Sequence, residues 1–171
     1  MARLATKIIL VSGLALAVAA CSKKPPAEVG PPPGPEQTTQ PGDSGVGTEV
    51  VPGSQQDFLA KVSSDRVFFD LDEYDIDDQD RATLQSQAQW LQQYPNVRAT
   101  IEGHADERGT REYNLALGER RANAAKNYLV SLGIAATRLS TISYGKERPE
   151  ALGSDESSWA QNRRAVTVTV Q

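Results

Sequence analysis

Asp106, Asn114, Leu117 and Arg121 are the residues whose types and spacing could do chemistry together. Asp106 lies between Gly103 and Gly109, which can take positive φ without steric penalty and so free backbone N–H groups around a carboxylate. Asn114, Leu117 and Arg121 follow at i, i+3 and i+7. At about 100° per residue these three fall on one stripe of a helix. An acid fixed in a loop then faces a base fixed on a helix across a small concavity. That arrangement suits a zwitterionic ligand.

Other polar groups read more plainly. His104 is the only histidine, and His104-x-Asp106 supplies two ligands, fewer than a structural or catalytic zinc site uses. It is expected to be a strand-end side chain hydrogen-bonded to the loop. The acids Asp70, Asp72, Glu73, Asp75, Asp77 and Asp78 lack the glycine and terminal glutamate of an EF-hand loop. Helix capping explains them better, so no metal or cofactor is expected. Arg163 and Arg164 are expected to pair at the surface with acids of the 70–78 turn, and Trp90 and Trp159 to pack rather than to serve as stacking platforms.

The elements that must position the site follow from periodicity. Residues 67–70 read as a short buried strand. Residues 77–93 read as a helix capped by Asp77 or Asp78, with Leu84, Ala88 and Leu91 on one stripe and Pro95 as its stop. Val97, Ala99, Ile101 and Gly103 alternate with polar neighbours as a half-buried strand. A second helix spans about 113–132, closed by Gly133. Its core stripe is Leu115, Gly118, Ala122, Ala125, Leu129 and Leu132, with the Asn114–Leu117–Arg121 stripe beside the core. A third strand covers 139–144 and a short helical turn 154–161. The last strand covers 165–170, with Val166, Val168 and Val170 expected to face inward. Strands interleaved with helices predict an α+β domain, βαβαβ with an added C-terminal strand, in one mixed sheet with helices on one face.

Residues 1–20 read as a secretory leader: Arg3 and Lys7 precede an apolar run ending in small residues. Val18-Ala19-Ala20-Cys21 resembles the bacterial lipobox, which implies lipidation of Cys21. Ser22 after it, rather than aspartate, favours delivery to the outer membrane. Several acyl chains would anchor the protein in the inner leaflet, since one chain binds only marginally. Residues 21–55 form the lipidated N-terminus and a linker rich in proline and glycine. Such a chain spans about 30 Å as a coil and about 100 Å when extended; a PxxP partner motif is the alternative reading. The domain proper is expected over 56–171. Formal charge is −4, and −6 without the leader, so the basic face a nucleic-acid role wants is lacking.

The motif Gly-His-Ala-Asp-Glu-Arg-Gly-Thr-x-Glu-Tyr-Asn-x-x-Leu-Gly-Glu-Arg-Arg-Ala (103–122), with Ser-Tyr-Gly-Lys-Glu-Arg-Pro (143–149), Asn-Arg-Arg (162–164) and Phe-Asp-Leu-Asp-x-Tyr-Asp-Ile (69–76), closely resembles the peptidoglycan-associated lipoproteins of the OmpA-like family. Leu117-Gly118 marks that branch, where the wider family has Leu-Ser. The resemblance implies noncovalent binding of the peptide stem of peptidoglycan at meso-diaminopimelate. Asp106 would take the ligand's ammonium and Arg121 a carboxylate. Asn114 and Leu117 would line or orient the pocket, Phe69 and Asp70 would form a further wall, and Thr110 would belong to the same site. The resemblance further implies TolB and other Tol proteins as partners, in a system serving envelope integrity and outer-membrane constriction in division. Arg111 departs from the pattern, which has proline there. A cell-wall hydrolase using Asp70 and Asp106 is the alternative. It needs a positioned acid–base pair or a metal-bound water, whereas a binding module needs only charge complementarity and a preformed loop.

Overall fold

The computed structural model describes residues 50–170; the leader, Cys21 and most of the linker lie outside the described residues. Ser54 caps the first helix, α1 (Gln55–Lys61), by accepting from Asp57 N. Strand β1 (Arg66–Phe68) precedes the acidic turn, and Asp77 caps α2 (Asp78–Gln93) by accepting from Asp80 N. There follow β2 (Arg98–His104), α3 (Arg111–Ser131), β3 (Leu139–Gly145), α4 (Glu156–Asn162) and β4 (Arg164–Val170). The sheet is single and mixed, in the order β1-β4-β2-β3, with β2 and β3 parallel and the other pairs antiparallel. This is the expected α+β architecture. Among the described residues no helix is long and apolar enough to cross a membrane.

The core joins Leu84, Ala88 and Leu91 of α2 to Ala99 and Ile101 of β2 and to Ala122, Ala125 and Leu129 of α3. Two glycines let α3 lie directly on the sheet. A Cβ on Gly103 would run into the Gly118 carbonyl, and one on Gly118 would stand 2.8 Å from the Gly103 oxygen. Gly103 is therefore required for close approach and not, as its place beside the loop suggested, for positive φ. Gly109 does take φ 85°.

The valines of β4 do not face the core. Antiparallel pairing sets Ala165, Thr167 and Thr169 opposite Gly103, Ile101 and Ala99, which fixes those small and polar residues on the helix side. Thr167 donates to Gln87 Oε1 at 2.8 Å and Thr169 to Gln55 Oε1 at 2.8 Å. On the other face Val170 is exposed and Val168 half-exposed, while Val166 is buried there outside the main core cluster. A Val-Thr alternation reads as valine-inward on hydrophobicity alone; buried Gln87 and half-buried Gln55 reverse it by giving the threonines partners.

The core stripe of α3 also differs at its ends. Leu115 and Leu132 are only half-buried, whereas Asn114, Leu117 and Arg121 are buried. A feature the sequence did not suggest is the 3-10 turn Ala136–Arg138 before β3. Arg138 donates to the carbonyls of Leu91, Tyr94 and Val97 at 2.8–2.9 Å, satisfying the C-terminal end of α2.

Candidate functional site

The loop between β2 and α3 is shaped at both ends. Register slips between Gly103 and His104 where β2 meets β3, a bulge of the kind that re-aims side chains at strand ends. Thr110 then caps α3, accepting from Tyr113 N at 3.2 Å. Arg111 is the first residue of that helix, the position that best tolerates proline. Its charge, unfavourable beside the helix dipole, is met by Glu147 at 3.2 Å. Between these ends Lys146 donates to the carbonyls of Glu107 and Gly109, and Asn114 to that of Arg108 at 2.7 Å. The loop is therefore braced from β3 and α3.

Asp106 is 5% exposed. It accepts from Arg108 three times: from the backbone N–H at 3.0 Å, from Nε at 3.1 Å and from Nη2 at 2.6 Å. Arg163 Nη1 stands 3.6 Å from its other side. Burial alone would raise its pKa, but the Arg108 hydrogen bonds and the Arg108 and Arg163 charges hold it below the usual carboxylate range.

Arg121 is completely buried. Its Nε donates to the Glu73 carbonyl at 2.8 Å, Nη1 to that of His104 at 2.8 Å and Nη2 to that of Asp70 at 3.0 Å. Its Cζ lies 5.2 Å from the Phe69 ring centre. Burial and the nearby Arg163 charge pull its pKa down to about 10, which leaves it cationic at neutral pH. Among the described residues no carboxylate forms an ion pair with it.

Asp106, Asn114, Leu117 and Arg121 meet at one cavity of about 240 Å³, shared with Leu71, Asp72, Arg108, Gly109 and Tyr113. Acid and base do share a concavity, but Arg121 lies within the folded interior and not beside it. The other site residues fall elsewhere. Thr110 caps the helix. Phe69 and Asp70 line a separate cavity of about 410 Å³ with Glu73, Ile76 and Arg163, although Asp70 reaches Arg121 through its carbonyl. Asp70 and Asp106 therefore line different cavities.

Leu71, Asp72, Arg108 and Tyr113 were missed. Asp72 alone among non-glycine residues described has positive φ, 59°, and its carboxylate accepts from Tyr113 OH at 3.1 Å. Nothing in the sequence around Asp72 reports this contact, made across the cavity by chain distant in sequence.

Three other expectations need correction. His104 is buried, with neither ring nitrogen hydrogen-bonded among the described residues, and packs against Tyr144, whose ring centre is 5.6 Å away. Arg163 pairs with Glu156 at 2.7 Å and donates to the Phe69 carbonyl, while Arg164 lies 3.5 Å from Glu150; neither reaches a carboxylate of the 70–78 turn. Trp159 is a stacking platform after all, with Arg108 Cζ 4.0 Å from its ring centre.

The OmpA family pattern matches residues 68–163. The chain is 52% identical over 160 residues to a peptidoglycan-associated lipoprotein of Agrobacterium fabrum, covering 94% of this chain and 85% of that one. It is 63% identical over 119 residues to the peptidoglycan-associated lipoprotein of Rhizobium meliloti, covering 70% and 67%. Among solved structures it is similar to the peptidoglycan-associated lipoprotein from Burkholderia pseudomallei. That match has a TM-score of 0.61 and 50% identity, over 66% of this chain and 93% of the other. The C-terminal domain of Helicobacter pylori MotB shares the fold at 21% identity and a TM-score of 0.58, over 63% and 84%.

Proposed function

Because the chain belongs to the peptidoglycan-associated lipoproteins of the OmpA family, we propose that its folded domain binds the peptide stem of peptidoglycan noncovalently at meso-diaminopimelate. The observation that carries this reading is the state of Arg121. A buried guanidinium has five N–H donors, and three are engaged by backbone carbonyls. One donor on each terminal nitrogen remains, on a residue that lines the cavity and has no carboxylate partner among the described residues. A carboxylate is the ligand group that best fits this pairing. Asp106 across the same cavity supplies the complementary charge for an ammonium. One amino-acid centre with both groups satisfies both residues, and about 240 Å³ is less than the roughly 300–1,000 Å³ of drug-sized pockets. The site is thus scaled to the end of one side chain.

Lipidation of Cys21 would hold the domain at the outer membrane, facing the periplasm, and the linker would give it reach to the wall. TolB and the other Tol proteins are the partners that go with this role. The reading is of a tether and not of an enzyme. Incubating the full chain with purified cell walls tests it: the protein should sediment with the walls and be released by diaminopimelate-containing muropeptide. Liberation of soluble wall fragments by the protein would instead establish a hydrolase.

A further inference from the structure

The cavity already holds a cation where a ligand ammonium would go. Both carboxylate oxygens of Asp106 are occupied by Arg108, and the Arg163 guanidinium stands behind one of them. With Asp106 only 5% exposed, a third cation could reach it only by being pressed between two guanidinium groups. Replacement of one of them is the alternative. Arg163 is itself buried and tied to Glu156 and the Phe69 carbonyl. Arg108 is about one-third exposed on its side chain, so it is the one free to leave.

It also has somewhere to go. Its Cζ already lies 4.0 Å from the Trp159 ring centre, and Nη1 is 4.0 Å from Glu156 Oε2. A small swing off Asp106 trades one carboxylate for another while keeping the aromatic contact, a cation–π interaction. The backbone need not follow. Asn114 holds the Arg108 carbonyl, Lys146 holds those on either side, and the Arg108 N–H stays on Asp106 Oδ1.

We infer that Arg108 is a resident cation that the ligand's ammonium must displace from Asp106, which makes it the residue that sets how tightly this site holds an amine. The inference rests on the reading of Asp106 as the ammonium acceptor. An amine that keeps its charge replaces what Asp106 loses. A neutral group does not, and leaves a buried carboxylate short of its strongest hydrogen bonds. A neutral group therefore leaves Arg108 in place, and the exchange lowers affinity for the charged amine alone.

Calorimetric titration of the full chain with a muropeptide ending in meso-diaminopimelate, and with the same muropeptide acetylated on its free side-chain amine, tests the exchange. Arg108→Met should bind the free-amine form about tenfold tighter than wild type, the lower end of what a hydrogen bond to a charged group is worth. It should gain nothing on the acetylated form, and Arg108→Lys should fall between. In wild type, the Nε–H resonance of Arg108 should move on titration with the free-amine form and stay still with the acetylated one. This spectrum and the Lys variant decide the matter should Arg108→Met fail to fold. Weaker binding by Arg108→Met would make Arg108 a ligand contact. Unchanged binding, or an equal gain on both forms, would make it a bystander or a filler of space. Each of these overturns the exchange while leaving the site in place. Wild type that ignores the free-amine muropeptide overturns the site assignment itself, and the exchange with it.

Discussion

Two buried titrating groups should give this domain an unusually flat stability between about pH 4 and pH 6, and single substitutions should tilt it in opposite directions. Asp80, in the first turn of α2, is 6% exposed. Its Oδ1 accepts from Phe68 N at 3.2 Å, and its Oδ2 has no partner among the described residues. Burial, with help from the Asp77 charge, pushes its pKa from 3.8 up to about 6 despite that backbone hydrogen bond. Over that interval the folded chain holds a proton the unfolded chain has released, so stability falls as pH rises, by on the order of 3 kcal/mol. His104 does the reverse. Burial and the Arg164 charge bring its pKa from 6.5 down to about 4. The unfolded chain binds a proton the folded chain refuses, so stability is lost as pH falls through the same interval, again by on the order of 3 kcal/mol. The acids held below their ordinary range, such as Asp57 at about 2, act chiefly below this window. Asp80→Asn keeps an acceptor for Phe68 and should leave a domain whose stability climbs by about 3 kcal/mol from pH 4 to 6.5. His104→Gln should decline by a similar amount, and the double variant should be flat again. Urea unfolding of the full chain followed by circular dichroism at several pH values reads all three slopes. Single variants that keep the wild-type slope would refute the reasoning.

Gly118→Ala should lower thermal stability by roughly 1–3 kcal/mol, because the new methyl meets the Gly103 carbonyl and Ser143 Oγ; an unchanged melting temperature would contradict the close contact of α3 with β2. Thr167→Val strands the buried Gln87 Oε1 and should cost about 1–3 kcal/mol in chemical denaturation, with Thr167→Ser recovering most of it. Cys21→Ala should leave the domain folded but shift it from the membrane to the soluble fraction on cell fractionation. Retention in membranes without any partner would defeat lipid anchoring.

How much of this was legible in the sequence depended on whether a contact is local. The stripe of Asn114, Leu117 and Arg121 follows from helical spacing alone, and all three do line one cavity. The caps at Asp77 and the stop at Pro95 were readable for the same reason. The opposite wall was not. Leu71 and Asp72 reach the site because Arg121 gathers the carbonyls of Asp70, Glu73 and His104, and a carbonyl leaves no mark on sequence. The sheet face of β4 was misread because the partners of its threonines sit on helices far away in the chain. Nothing in the sequence ties Arg108 to Asp106; only the geometry puts its guanidinium there. The family motif supplied site residues without saying which touch the cavity, and Thr110 and Phe69 act on it through a helix cap and through the Arg121 guanidinium.

Arg121, a buried cation with no carboxylate partner among the described residues, is proposed to receive one from the ligand. This is tested most directly without altering the protein, by titrating the full chain with two muropeptides that differ only in the diaminopimelate side-chain end, carboxylate in one and carboxamide in the other. Loss of a hydrogen-bonded charge pair with Arg121 predicts affinity lower by about 10- to 100-fold for the carboxamide. Equal affinity for the two would contradict the account, because Arg121 would then not be reading the ligand's charge.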